Sequence, residues 1–386
     1  MKFHSSSTAV LAALLAFLAA CGGTAAPASS PAAASPAPAN AGASAKPANA
    51  SAGAAAPGAK PASSGLASAG ANTANASGST SAAGNLTKIT VPYAVISISN
   101  LPVFAARDAG IFQKHGLDVN LTYVDTAEVA SIMAGTAQIA QGGGPEVVSA
   151  AAGGADVLFI ATLAPVYSYI LEASSRIQTP ADLKGKKIGS GAVGSLTDVA
   201  TRGVLKRLGI DPDKDVSMQY LASPQARTPA LLNGQVDAAL DSPPNTYKED
   251  AQGLHQLYDL AAQKVPTISN GITVRRDWLN AHRDVAQEYI DAMMEAIGRI
   301  KTDKPFAATV LKNYMKLQSA EDAAKAADWT ATYLIPDVPT TNVANFADMI
   351  QSLSMQNPKI GSLDLNRIVD NSLVQNAVDR GLAHKG

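Results

Sequence analysis

The sequence contains a single cysteine among its 386 residues, and only 16% of its residues are charged. One cysteine excludes an internal disulfide framework and a metal site built from several cysteines. The five histidines are scattered, with no pair at the spacing that would place both on one helix face, so we expect no metal site. The net charge of −1 lacks the positive excess typical of proteins that bind nucleic acid, and no nucleic-acid partner is expected.

The shortage of charge is concentrated in one stretch of the chain. Between Gly22 and Leu86 the only charged residues are Lys46 and Lys60, and almost all others are Ala, Ser, Pro, Gly, Asn and Thr. Such a segment cannot bury enough apolar surface to offset the entropy lost on ordering. We therefore predict a disordered linker over 21–86, followed by about 300 residues that can form a large core and suit two lobes.

The N-terminus predicts export from the cytoplasm. The apolar run from Ala9 to Ala20 is shorter than the roughly 20 residues that span a bilayer, which indicates a signal peptide over 1–20. The motif Leu-Ala-Ala-Cys-Gly around Cys21 resembles the bacterial lipobox, in which the cysteine is acylated. The resemblance implies lipidation of Cys21 and an extracytoplasmic protein held on the lipid bilayer. An ordinary signal peptide with an incidental cysteine is the alternative.

From Lys88 onward, short apolar runs typical of strands alternate with apolar residues at helical spacing, and glycines end most helical stretches. The order β-α-β-α-β occurs twice, beginning near Lys88 and again near Lys186. Two such runs predict an α/β fold with two open, mostly parallel sheets flanked by helices. After Val274 the pattern predicts a mainly helical C-terminal region.

Ligands of open α/β sheets bind beyond the carboxyl ends of the strands, where turns lead into helices. Arg227, at such a turn, is a candidate partner for an anionic ligand, with a solvated helix start as the alternative. Tyr167 and Tyr169 are candidates for stacking on a ligand, with hinge packing as the alternative. The turns predicted in this way are 97–100, 142–146, 189–198, 222–227 and 241–245.

The turn 189–194 fits the dinucleotide motif G-x-G-x-x-G after a strand and before a helix. The following strand ends without the acid that would bind a ribose, so we expect no nucleotide cofactor. Ser195 and Thr197 either donate hydrogen bonds to a ligand or cap their own helix. No serine–histidine grouping, nucleophile elbow or second cysteine is present, and we expect no catalytic residue.

Two acids follow equivalent strands of the two repeats. Glu146 and Asp241 either face each other across a cleft or stabilise a helix start and a turn in their own halves. A facing pair of acids would disfavour a small inorganic anion. It would favour a larger ligand that carries hydrogen-bond donors.

Four segments carry a specific resemblance: 181–189 (ADLKGKKIG), 208–216, 230–239 and 109–119. They resemble solute-binding lipoproteins of ABC transporters, of the branch that takes up nitrate, sulfonates, taurine and thiamine pyrimidine precursors. This resemblance implies a two-lobed clamp of the periplasmic-binding-protein type with two crossover strands. It also implies that the lobes close on a small organic molecule and then dock on a membrane permease.

The same resemblance implies where the lobes and the ligand lie. Lobe 1 would comprise 87–166 and 271–386, lobe 2 would comprise 167–270, and the chain would return to lobe 1 near 269–274. A monomer is the default expectation. Ligand would lie between the lobes, against Ser99, Asn100, Gly143, Gly144, Pro145, Glu146, Ser190, Gly194, Ser195, Leu196, Thr197, Asp241, Ser242 and Pro243.

Two other functions use the same fold. A pyrimidine-synthase-like enzyme would draw on a histidine and bound cofactors in the cytosol, and the export signal opposes it. A receptor that passes its closed state to a sensor protein would need the same cleft but a different membrane partner. The sequence favours the transport receptor and leaves the identity of its ligand open.

Overall fold

A computed structural model of the chain describes residues 85–124 and 127–384. The predicted signal peptide, the lipidation at Cys21 and the linker as far as residue 84 lie outside the described residues and stay predictions. Across the part of the chain that is described, none of the helices is long and apolar enough to cross a membrane.

Ten strands and fourteen α-helices occur in the described residues. The strands are β1 (Thr87–Tyr93), β2 (Leu117–Tyr123), β3 (Ile139–Gly142), β4 (Val157–Val166), β5 (Ile170–Ala173), β6 (Lys187–Ser190), β7 (Ser217–Tyr220), β8 (Ala238–Asp241), β9 (His255–Asp259) and β10 (Pro266–Arg275). The helices are α1 (Leu101–Asp108), α2 (Ile111–Lys114), α3 (Glu128–Met133), α4 (Gly144–Ala152), α5 (Leu196–Arg207), α6 (Pro224–Leu232), α7 (Asn245–Ala251), α8 (Arg276–Ala281), α9 (Arg283–Thr302), α10 (Lys304–Tyr314), α11 (Ala320–Trp329), α12 (Ala347–Ser354), α13 (Pro358–Gly361) and α14 (Ser372–Asp379).

The strands form two five-stranded sheets, in the orders β2-β1-β3-β10-β4 and β7-β6-β8-β5-β9. In each sheet the first three strands are parallel, and the fourth position holds a strand that runs antiparallel to both neighbours. The two sheets therefore share one topology, as the repeated sequence pattern predicts. The predicted fold class, an α/β fold with two sheets and flanking helices, is confirmed.

The chain crosses between the sheets twice. The first crossing is the short link 167–169 between β4 and β5. The second lies between Asp259 and Pro266, because β10 already pairs with β4 at Pro266↔Val166. This crossing comes earlier than the predicted boundary at 271, since the polar and glycine residues 269–271 lie inside a long strand and do not end it.

The strands nearest the crossings are buried along most of their length because both faces of the sheet are covered. The first eight residues of β4 are buried, and its neighbour β10 is buried over most of its length. The helix α9 places one apolar stripe against the first sheet, with Tyr289, Met293 and Ile297 fully buried. The C-terminal region also supplies α12, which packs against α5 beside the second sheet.

Candidate functional site

A cavity of about 230 Å³ lies between the two sheets, beside the first crossing. It is where the carboxyl ends of parallel strands meet, the position at which open α/β sheets bind ligands. The lining residues from the first sheet's side are 94–97, Ser99, Tyr123, Glu128, Gly143, Glu146 and Ser269; those from the crossing and the second sheet's side are Ser168, Tyr169, 195–197, 222–225, Arg227 and Ser242.

The cavity collects about half of the residues predicted from the sequence. Ser99, Gly143, Glu146, Ser195, Leu196, Thr197 and Ser242 line it, as do the candidates Arg227 and Tyr169. Asn100, Gly144, Pro145, Ser190, Gly194, Asp241, Pro243 and the candidate Tyr167 are not among its lining residues. Several members of the second group, among them Asn100, Ser190 and Gly194, make hydrogen bonds that shape the turns carrying the first group.

Asp198 organises the turn that leads into α5. Its carboxylate accepts hydrogen bonds from the Ser190 hydroxyl at 3.2 Å and from the Gly194 amide at 2.9 Å. The side chain of Asp198 is fully buried. Ser190 and Gly194 therefore hold the glycine-rich turn in shape, and Ser195 and Thr197 reach the cavity from the helix start.

The side chain of Asn100 has the same supporting role on the other side of the cleft. Its amide donates to the Val95 carbonyl, and its carbonyl oxygen accepts from the amide of Asn270 at 2.5 Å. The loop between β1 and α1 is thereby tied to β10, which holds Ser99 against the cavity.

Of the two roles that the sequence allowed for Asp241, the structure shows the stabilisation of a turn in its own half. It is 1% exposed, and one carboxylate oxygen accepts from the Ser242 amide at 2.8 Å and from the Asn245 side chain at 3.0 Å. The other oxygen accepts from the Thr228 hydroxyl. Because these donors belong to its own half, Asp241 caps a turn and does not face Glu146 across the cleft.

The acidic partner of Glu146 is Glu128, at the start of α3. Glu128 is fully buried, and neither of its carboxylate oxygens accepts a hydrogen bond from another described residue. The buried Oε2 of Glu146 has no such partner either. Sequence reasoning missed Glu128 because a glutamate in a first helical turn is ordinary, and only the packing of α3 on β3 turns it toward the cavity.

Two consecutive glycines make room for these carboxyl groups. A Cβ atom on Gly142 would lie 2.5 Å from Oε1 of Glu128, and one on Gly143 would lie 2.9 Å from Oε2 of Glu146. Both distances are too short for real contacts, so any larger residue at either position would displace a carboxyl group. The position of the two carboxyl groups therefore explains why glycine stands at both 142 and 143.

Burial raises the pKa of both carboxyl groups. The pKa of Glu146 rises to about 7, chiefly because burial removes water from the charged form and further because Glu128 repels a second negative charge. The pKa of Glu128 is also raised, again chiefly by burial. In each case the residue's own backbone amide partly offsets the effect.

The opposite wall carries Arg227, which is 2% exposed. Its Nε donates to the Leu240 carbonyl and its Nη1 to the Leu221 carbonyl, each at 3.2 Å. Arg227 thereby joins the ends of β7 and β8 while it borders the cavity. Next to it, the Tyr169 hydroxyl is 2.9 Å from the Thr197 hydroxyl oxygen, so the first crossing is bonded to the start of α5.

The two lobes also touch outside the cavity. A guanidinium nitrogen of Arg207, at the end of α5, lies 2.8 Å from the Asp348 carboxylate on α12. Beside this ion pair, a Cβ on Gly194 would be 3.8 Å from Leu353 of α12. These residues hold the two halves of the cleft against each other at its outer edge.

Comparison with known proteins places this geometry in a family. A family model described as NMT1/THI5 like matches residues 98–305, which is more than half of the chain. A curated protein of Brachyspira hyodysenteriae, whose name assigns it to ABC transporter periplasmic binding proteins, is 27% identical over 208 residues. That match covers 52% of this chain and spans 58% of the relative's length.

Solved structures share the fold. A protein of Bordetella bronchiseptica RB50 has a TM-score of 0.64 at 20% identity, with 77% of this chain and 98% of that one covered. The periplasmic aliphatic sulphonate binding protein SsuA of Escherichia coli has a TM-score of 0.62 at 18% identity, with 75% of this chain and 99% of that one covered. The periplasmic nitrate-binding protein NrtA of Synechocystis PCC 6803 has a TM-score of 0.61 at 13% identity, with 76% of this chain and 89% of that one covered.

Proposed function

Because the chain belongs to the NMT1/THI5 like family, we propose that it is a solute-binding protein that captures a small organic molecule between its two lobes and delivers it to the permease of an ABC importer. The observation that carries this proposal is the cavity of about 230 Å³ whose walls come from both sheets and from the link 167–169. A ligand there contacts both lobes at once, so its binding energy favours the closed arrangement.

The lining of the cavity supports a binding function. Most of its polar groups are hydroxyls, including those of Ser97, Ser99 and Ser223. No histidine, cysteine or lysine is among its described lining residues. A wall of hydroxyls and two carboxyl groups is suited to holding hydrogen-bond donors in place.

We propose an extracytoplasmic location for the mature protein, anchored to the lipid bilayer through acylated Cys21. The lipobox-like motif and the apolar run before it support this anchor. The segment 22–86 would then separate the binding domain from the bilayer, and the domain would act as a monomer. Mass spectrometry of the membrane fraction tests the anchor, because acylation adds the mass of several fatty chains to the N-terminal peptide.

A melting experiment with the purified protein tests the binding function. A ligand present at 100 times its Kd should add about 2.7 kcal/mol to the free energy of unfolding. The panel should contain sulfonates, nitrate, pyrimidines and small amines. An unchanged melting temperature with every member, at concentrations up to the millimolar range, would contradict the proposal.

A matched pair of variants locates the site. Ser223→Trp places a large side chain in the cavity and should abolish the ligand-induced shift. Ser175→Trp makes the same substitution at an exposed position of the same lobe and should retain the shift. A full shift in the Ser223 variant would show that the ligand binds elsewhere.

A further inference from the structure

The cavity has an acidic wall that no described residue neutralises. Glu128 and Glu146 both line it, and their three buried oxygens accept no hydrogen bond from other described residues. Burying a carboxyl group without a partner costs free energy, so such groups are uncommon unless something else binds them.

Asp241 provides an internal comparison. It is as deeply buried as Glu128, yet each of its oxygens accepts a hydrogen bond from its own half of the protein. At Asp241 the fold therefore supplies donors to both oxygens of a buried carboxylate. The three buried oxygens of Glu128 and Glu146 have no such donor among the described residues, and both side chains line the cavity.

The only cationic side chain among the described lining residues does not compensate for them. Arg227 lies on the opposite wall, and its Nε and Nη1 donate to backbone carbonyls of its own lobe. No ion pair joins it to either glutamate in the described structure. The carboxyl groups of Glu128 and Glu146 therefore have no protein partner among the described residues at the cavity, and the absence of side chains at Gly142 and Gly143 leaves room for these carboxyl groups.

We propose that the ligand carries a nitrogen cation, an amine, amidine or guanidine, whose N–H groups donate to Glu128 and Glu146. This inference rests on the proposed binding function and specifies its ligand class. It separates this protein from the structural neighbours named for sulphonate and nitrate, because those anions would meet two carboxyl groups on this wall. The hydroxyl-rich remainder of the cavity would bind the polar body of the ligand.

Three probes of nearly the same shape test this ligand class. Benzamidine is a cation, benzamide is neutral and benzoate is an anion, so their relative affinities isolate the effect of charge. Isothermal titration of the full protein should give benzamidine at least a tenfold lower Kd than benzamide, with benzoate the weakest. Methanesulfonate and nitrate should bind more weakly than benzamidine as well.

Two variants assign the effect to the acidic wall. Glu128→Gln and Glu146→Gln should each raise the Kd for benzamidine at least tenfold, because an amide removes the charge and replaces an acceptor with a donor. The affinity for benzamide should change much less. Glu321→Gln removes an exposed carboxylate on α11 and should leave all three affinities unchanged.

The outcomes distinguish this inference from the proposed function. Tight binding of an anion with benzamidine weaker, or equal benzamidine affinity in the wild type and both glutamine variants, would overturn the cation assignment and leave the receptor function intact. Binding of none of these probes, and of no member of the wider panel, would overturn the receptor function and this inference with it.

Discussion

Replacing Glu172 by glutamine should make the stability of the protein less dependent on pH. Glu172 lies on β5, is fully buried, and has no hydrogen-bond partner for either carboxylate oxygen in the described structure. Its pKa is raised from 4.5 to about 8, chiefly by burial and further by the negative charges of Asp250, Asp241 and Asp259. The folded protein therefore holds this carboxyl group neutral at pH 7.

The sign and size of the effect follow from proton linkage. Because the pKa is higher in the folded than in the unfolded protein, the folded form binds one more proton between pH 4.5 and about 8. The free energy of unfolding should fall as pH rises through that window, by about 1.4 kcal/mol per pH unit. From pH 5 to pH 8 the contribution of Glu172 amounts to about 4 kcal/mol.

Urea denaturation followed by far-UV circular dichroism, at pH 5, 6, 7 and 8, measures this contribution. Glu172→Gln should match the wild type at pH 5 and exceed it increasingly at higher pH. The neighbouring Glu249, whose pKa is also raised chiefly by burial, should leave some pH dependence in the variant. The exposed control Glu321→Gln should follow the wild type. Parallel pH profiles for wild type and Glu172→Gln would refute the reasoning.

Three further changes probe the cleft and strand β10. Arg207→Gln breaks the ion pair with Asp348, worth about 1 kcal/mol, and should raise the ligand-free radius of gyration measured by small-angle X-ray scattering. Gly271→Ala places a Cβ 2.7 Å from the ring of Phe159 and should lower the free energy of unfolding by about 1–3 kcal/mol in urea titrations. Gly194→Ala imposes a side chain on a φ of +78°, should cost about 1–2 kcal/mol, and should weaken ligand binding in calorimetric titrations.

Matched controls accompany these variants. Arg299→Gln removes an ion pair with Asp303, the residue between α9 and α10, far from α5 and α12 in the chain, and should not change the radius of gyration. Gly298→Ala adds a methyl group at an ordinary contact distance inside α9 and should not destabilise the protein. An unchanged radius for Arg207→Gln, or wild-type stability for Gly271→Ala, would contradict the respective contact. Wild-type ligand affinity in Gly194→Ala would contradict a role for the turn in shaping the cavity.

Local sequence patterns predicted the fold class, the two equivalent sheets and the general position of the cleft. These features depend on periodicity and on turns between consecutive elements, which neighbouring residues determine. The turns at 142–146, 189–198 and 241–245 could be predicted as candidate ligand-binding turns because strand ends of an open sheet converge on one edge, and each contributes residues to the lining of the cavity. The resemblance of segments such as 181–189 identified the family in the same way.

Tertiary packing alone decided which side chains at those turns reach the cavity. Glu128 faces it only because α3 packs beside β3 and Gly142 leaves space for the carboxyl group. The carboxylate of Asp241 turns away from the cavity because it accepts hydrogen bonds from the side chains of Thr228, earlier in the chain, and Asn245, later in the chain. The direction of a side chain depends on which donors the fold brings near, and a linear pattern of residues does not contain those distances.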